Sequence, residues 1–127
     1  MSMELPLSLE AISAIPAGTD RLVLIESGEV FVGVKVFQPG EVFANHFHNG
    51  YDEIFMGIEG IVTIWQGRAL RVEVGPGSSL ACMRGSQHYL INETSEPAKV
   101  LYAKVPLVAD DTHWVEWSPE DHHHGGA

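Results

Sequence analysis

The chain has 127 residues, 45% hydrophobic and 19% charged, which fits one globular domain able to bury a core without disulfides or a structural metal. Its formal net charge is −10 and its seven Lys and Arg are scattered, so there is no basic stripe to neutralise phosphates and nucleic acid is not an expected partner. No apolar run reaches bilayer-spanning length, MSMELPLSLE lacks the basic start and continuous apolar stretch of a secretory signal, and the single Cys82 forms no internal disulfide; a cytoplasmic protein with no membrane partner is expected.

Leu5 to Ile15 carries helical spacing at Leu5, Leu9 and Ile12 before Pro16 stops it, which predicts at most one short N-terminal helix. Strands are expected after Asp20: residues 21–26 and 29–37 joined at Ser27-Gly28, then 42–48 and 53–58 after the Pro39-Gly40 turn. Asn49-Gly50-Tyr51-Asp52 reads as the turn of a hairpin, because Asn-Gly readily accepts positive φ. Residues 61–65 and 69–74 flank a turn at Gln66-Gly67, and 80–83, 88–92 and 100–105 complete the set. Many short antiparallel strands leave edges to hide, and closure into a jelly-roll barrel hides them. The expected organisation is an N-terminal extension (1–20), an all-β barrel (21–108) and a C-terminal segment (109–127), partly packed and ending in a His122-His123-His124 run read as a disordered tail outside any site.

His46 and His48 are two residues apart, so on a strand both imidazoles leave the same face, about 7 Å apart at Cα for a rise of ~3.3 Å per residue. Two such groups can share an ion. Glu53, brought back beside His48 by the expected hairpin, adds a carboxylate, and His88 follows a turn at Gly85-Ser86-Gln87 that lets it arrive from another part of the wall.

From Gly40 to Gly60 the chain reads GEVFANHFHNGYDEIFMGIEG, which resembles the first cupin motif: Gly, five residues, His-x-His, three or four residues, Glu, six residues, Gly. GSSLACMRGSQHYLIN, from Gly77 to Asn92, is similar to the second, in which Pro-x-Gly precedes the last His and Asn; here Met83 stands in place of that proline and puts the local loop geometry in question. The resemblance implies a single-domain cupin barrel and one divalent metal ion held by His46, His48, Glu53 and His88, with Fe(II) favoured and Mn, Ni, Zn or Cu compatible. Such proteins use their open coordination positions for a small chelating substrate. That implies an oxygenase first, then a non-redox lyase, isomerase or cyclase, and third a ligand-binding module without turnover. A homodimer is also implied.

Tyr51, Tyr89, Tyr102 and Arg84 lie near motif residues and are the candidates to orient a substrate, with Val42, Phe55, Leu90 or Val105 as apolar lining. Cys82 reads as a small core hydrophobe, and Trp65, Trp114 and Trp117 as core or interface side chains. The Asn92-Glu93-Thr94 sequon is read as idle, since Asn92 already has a place in the second motif.

Overall fold

Side chains alternate in and out along ten short strands, which form two facing antiparallel sheets with an apolar interior between them. The computed structural model describes residues 8–119. The strands are β1 (Arg21–Glu26), β2 (Phe31–Phe37), β3 (Val42–Phe47), β4 (Asp52–Glu59), β5 (Val62–Gln66), β6 (Leu70–Val74), β7 (Ser79–Cys82), β8 (His88–Ile91), β9 (Ala98–Val105) and β10 (His113–Trp114). One sheet runs β1-β2-β9-β4-β7 and the other β10-β3-β8-β5-β6, a jelly roll in which the chain repeatedly crosses between sheets.

The helix expected before Pro16 is a short one, α1 (Leu9–Ser13), with the Ser8 hydroxyl accepting the Ala11 N–H at 3.0 Å as its cap. It matters for β2. Val34 and Val36 point outward beneath Ile12 and Ile15, while Lys35 and Phe37 point into the barrel, so β2 is buried on both faces. Phe37, Phe55, Val62, Ile64, Leu90, Val100 and Tyr102 fill the space between the sheets together with Cys82, whose thiol burial pushes up to about 12, as an inert core residue.

The hairpins 21–37 and 62–74 form as expected. The third does not. β3 pairs with β8 and β10, whereas β4 pairs with β7 and β9, so residues 48–51 carry the chain from one sheet to the other. Neither Asn49 nor Gly50 takes a positive φ. Their N–H groups donate instead to the Asp111 carboxylate, at 3.2 and 2.6 Å, and that pin replaces the tight turn the Asn-Gly pair predicts. The C-terminal segment thus contributes both this anchor and β10; its His122–His124 run lies outside the described residues.

The turn in which Met83 replaces the family proline is intact. Ser86 donates both its N–H (3.0 Å) and its hydroxyl (2.7 Å) to the Met83 carbonyl, and Gly85 supplies the positive φ of 87°. Asn92 is fully buried, its amide bonded to the Phe37 and Glu96 carbonyls, so its place is structural.

Gly57 is the tightest point of the wall: a Cβ there would stand 2.0 Å from the Gly75 carbonyl oxygen. That backbone is itself fixed, because Gly57 exchanges hydrogen bonds with Ser78 and Gly77 at 2.9 Å. Gly57→Ala is expected to lower stability by about 1–3 kcal/mol, read as a reduced urea midpoint with an unchanged slope. A midpoint equal to that of the parent chain would show that the wall yields at this point.

Candidate metal centre

Three of the four candidate ligands come from one sheet and the fourth from the other. His46 on β3 and His88 on β8 are direct cross-strand partners with ring centroids 4.2 Å apart, and His48 follows at the end of β3. A register irregularity between Phe43 and His46 resets the inward face of β3, which is why Phe43, His46 and His48 all reach the same cavity. Glu53 is the first inward residue of β4 and meets the imidazoles across the barrel. One ligand atom from each of the four residues lies within 4.8 Å of the others, and all four side chains are buried.

The hydrogen bonds around the histidines aim them. His46 Nδ1 donates to the Ala44 carbonyl at 2.7 Å, His48 Nδ1 to the Asp111 carbonyl at 2.8 Å, and His88 Nδ1 to the Ser86 carbonyl at 3.3 Å. Carbonyls only accept, so each Nδ1 carries the hydrogen and each Nε2 turns its lone pair toward the centre. His48 Nε2 lies 3.1 Å and His88 Nε2 3.4 Å from the same oxygen, Glu53 Oε1. His88 Nε2 is completely buried and has no hydrogen-bond partner among the described residues. An orphaned ring nitrogen, two neighbours with the same orientation and one carboxylate oxygen form a donor set that fits a divalent cation.

Electrostatics shift two of the four groups. Burial, followed by the neighbouring His88, lowers the His46 pKa from 6.5 to about 4. Burial alone pushes the Glu53 carboxyl up, but the His48 and His88 imidazoles outweigh it and hold the group at about 2. Neutral imidazole and ionised carboxylate are the forms that bind metal.

A cavity open to solvent lies against this cluster. Phe37, Phe43, Phe55, Leu90 and Val100 give it an apolar wall, whereas Val42 and Val105, expected as lining, point to the exposed outer surface. Of the four residues expected to orient a substrate, Tyr51 and Tyr102 face the cavity. The Tyr51 ring stacks on His48 with centroids 4.1 Å apart and its hydroxyl lies 3.2 Å from His48 Nε2; burial and then the Glu53 charge raise its pKa.

Tyr89 and Arg84 are elsewhere. Tyr89 follows the inward His88 and must point outward by strand alternation, where it meets Trp117 edge-on at 6.1 Å. Arg84 turns away to bind the Asp52 carboxylate at 3.2 Å, and its side chain is 49% exposed. Trp65 and Trp117 are half-buried against each other. Trp114, by contrast, is 62% exposed at the rim, stacked on Phe43 at 5.7 Å. Asp111, which aims His48 and pins the loop before Glu53, was not among the expected site residues; neither were Arg21, Lys35 and Lys104, which also line the cavity.

A small jelly roll with three histidines and one glutamate facing inward defines a class of single-domain barrel proteins. The Cupin domain profile matches residues 33–104, and the chain belongs to the cupin family. A protein with a double-stranded beta-helix domain from Klebsiella pneumoniae is similar at a TM-score of 0.72 and 20% identity, covering 91% of this chain and 100% of that one. KdgF from Halomonas sp. is similar at 0.66 and 17%, covering 71% and 80%. A structure from the DMSP lyases RdDddP and RnDddQII is similar at 0.60 and 18%, covering 68% and 44%. Comparison with curated proteins finds no match.

The depressed His46 pKa carries a stability consequence for chelator-treated protein. Between pH 4 and 6.5 the unfolded chain protonates this histidine and the folded chain does not, so stability is present above pH 6.5 and is lost as pH falls toward 4. Glu53 extends the loss from 4.5 toward 2. Urea titrations are expected to show a fall of up to about 3 kcal/mol across the upper window, most of it removed in His46→Gln. An equally steep fall in that variant would assign the pH dependence to other groups.

Proposed function

We propose that this chain is a metal-dependent enzyme that acts without net oxidation on a small oxygen-bearing substrate: a lyase, isomerase or cyclase. The observation that carries the reading is the convergence of ligand atoms of His46, His48, His88 and Glu53 within 4.8 Å beside one cavity, with the Tyr51 hydroxyl 3.2 Å from His48 Nε2. His46, His48, Glu53 and His88 would hold the ion. When bound, a divalent ion supplies Lewis acidity to a substrate oxygen, and a redox-active one such as iron also supplies electrons to dioxygen.

The rest falls to the side chains. With His48 Nε2 committed to an ion, the Tyr51 hydroxyl would keep its side-chain partner Thr112 and would turn to a substrate oxygen at the open face of the cluster. Tyr51 then holds or passes a proton at that oxygen, which is the general acid or base step a non-redox reaction requires. Phe37, Phe55, Leu90 and Val100 keep water out and strengthen both the ligand field and that hydrogen bond. The same dry wall supports a second reading, the oxygenase implied by the sequence resemblance, in which a reactive oxygen species is shielded from solvent. The likeness to a DMSP lyase structure supports the first.

Protein prepared without a metal-affinity step is expected to contain about one divalent ion per chain, and His48→Ala to lose most of it with its β-sheet circular dichroism retained. Zinc-loaded protein is expected to turn over chelating substrates under strict anaerobiosis, and Tyr51→Phe to lower kcat by about 10²–10⁴ with metal content unchanged. Turnover that needs both iron and dioxygen would replace this reading with the oxygenase.

A further inference from the structure

Three of the chain's seven basic residues, Arg21, Lys35 and Lys104, line the one cavity that holds the cluster, although the chain as a whole carries a net charge of −10. Their charges are not equally available. The buried Lys35 ammonium is neutralised by the Asp20 carboxylate and, at 2.6 Å, by Glu41. Asp20, committed to Lys35, is also the nearest carboxylate to Arg21, at 4.0 Å, the limit of an ion pair.

Lys104 pairs with no carboxylate among the described residues. Its register neighbour across β4 and β9 is Glu53, yet Glu53 turns to His48 and His88. The ammonium is held by aromatic faces instead, 5.4 Å from the Phe31 and Tyr51 ring centroids and 5.9 Å from that of Tyr102. The Arg21 guanidinium approaches the same Tyr102 ring at 5.7 Å and the Phe43 ring at 5.6 Å. Two cations thus lie against one tyrosine, Arg21 also bonded to its hydroxyl, and neither has a carboxylate to itself.

We propose that the substrate is an organic acid whose carboxylate is bound by Arg21 and Lys104 around Tyr102 while its other oxygen donors reach the four-ligand cluster. This rests on the proposed enzyme and narrows it to a substrate class. Arg21 offers a planar fork that takes both carboxylate oxygens, and Lys104 a point charge on the side nearer the cluster, where it already touches the Tyr51 ring. The acidic remainder of the surface repels anions in general, so the subsite selects by position and not by overall attraction.

The test uses chelator-treated protein and two probes of equal shape, cyclohexanecarboxylate and cyclohexanecarboxamide, followed by ligand-observed NMR at low salt. The acid is expected to bind at least tenfold more tightly than the amide. Arg21→Gln and Lys104→Met should each lose most of that preference, and Lys104→Arg should keep it. Arg84→Gln should also keep it, because Arg84 turns away from the cavity to Asp52. Equal binding of acid and amide by the parent protein, or an undiminished preference in both cation variants, would overturn the subsite. Loss of the preference in Arg84→Gln as well would overturn it too, by tying the preference to overall charge. Metal content measured on the same preparations before chelation is the separate readout of the enzyme reading: a protein that prefers the acid but is isolated without an ion keeps the subsite and loses that reading.

Discussion

A carboxylate that is 6% exposed faces three buried imidazoles across the interior of this barrel. An unpaired charge at that depth would cost several kcal/mol, and the two sheets bring the Glu53 carboxylate and the His48 and His88 Nε2 lone pairs to one point, where a cation would balance them. The requirement reaches outward through the backbone. Each histidine needs a carbonyl for its Nδ1, and those carbonyls belong to Ala44 beside the β3 irregularity, Ser86 in the turn before β8, and Asp111 in the C-terminal segment. Three separate stretches of chain are therefore shaped by where one carboxylate sits.

The lining divides by sheet in the same way. The β3 and β8 sheet contributes imidazoles, whereas β1, β2, β4 and β9 contribute Arg21, Lys35, Glu53, Tyr102 and Lys104. A substrate entering between them meets nitrogen donors on one side and charge and hydroxyl on the other. This polarity follows from strand order, since β4 and β9 are adjacent and their inward residues, Glu53 with Lys104 and Phe55 with Tyr102, stand directly opposite each other.

The ligands were legible because their signal is local: a two-residue spacing on a strand, a glutamate at a motif distance, and motif glycines (Gly40, Gly60, Gly77 and Gly85) that all take positive φ. Tyr89 was not: expected to orient a substrate, it is sent outward by its neighbour His88, which faces inward. What the sequence withheld is non-local. Nothing in Asn49-Gly50 reveals that an aspartate 61 residues away captures its N–H groups, and local turn chemistry therefore predicts a hairpin where the chain crosses between sheets. The clustering of Arg21, Lys35 and Lys104 is hidden for the same reason: 83 positions separate the first from the last, and only closure of the barrel brings them to one wall.

The Asp111 anchor also orders events during synthesis. Strands β3, β4 and β8, with all four candidate ligands, are synthesised before residue 111, so the histidines are made before the carbonyl that orients His48. An ion met at that stage finds flexible donors with no fixed tautomer and no closed wall. Selectivity for one metal over another, to the extent that geometry sets it, would need the C-terminal segment docked, because the Asp111 carbonyl fixes the His48 tautomer.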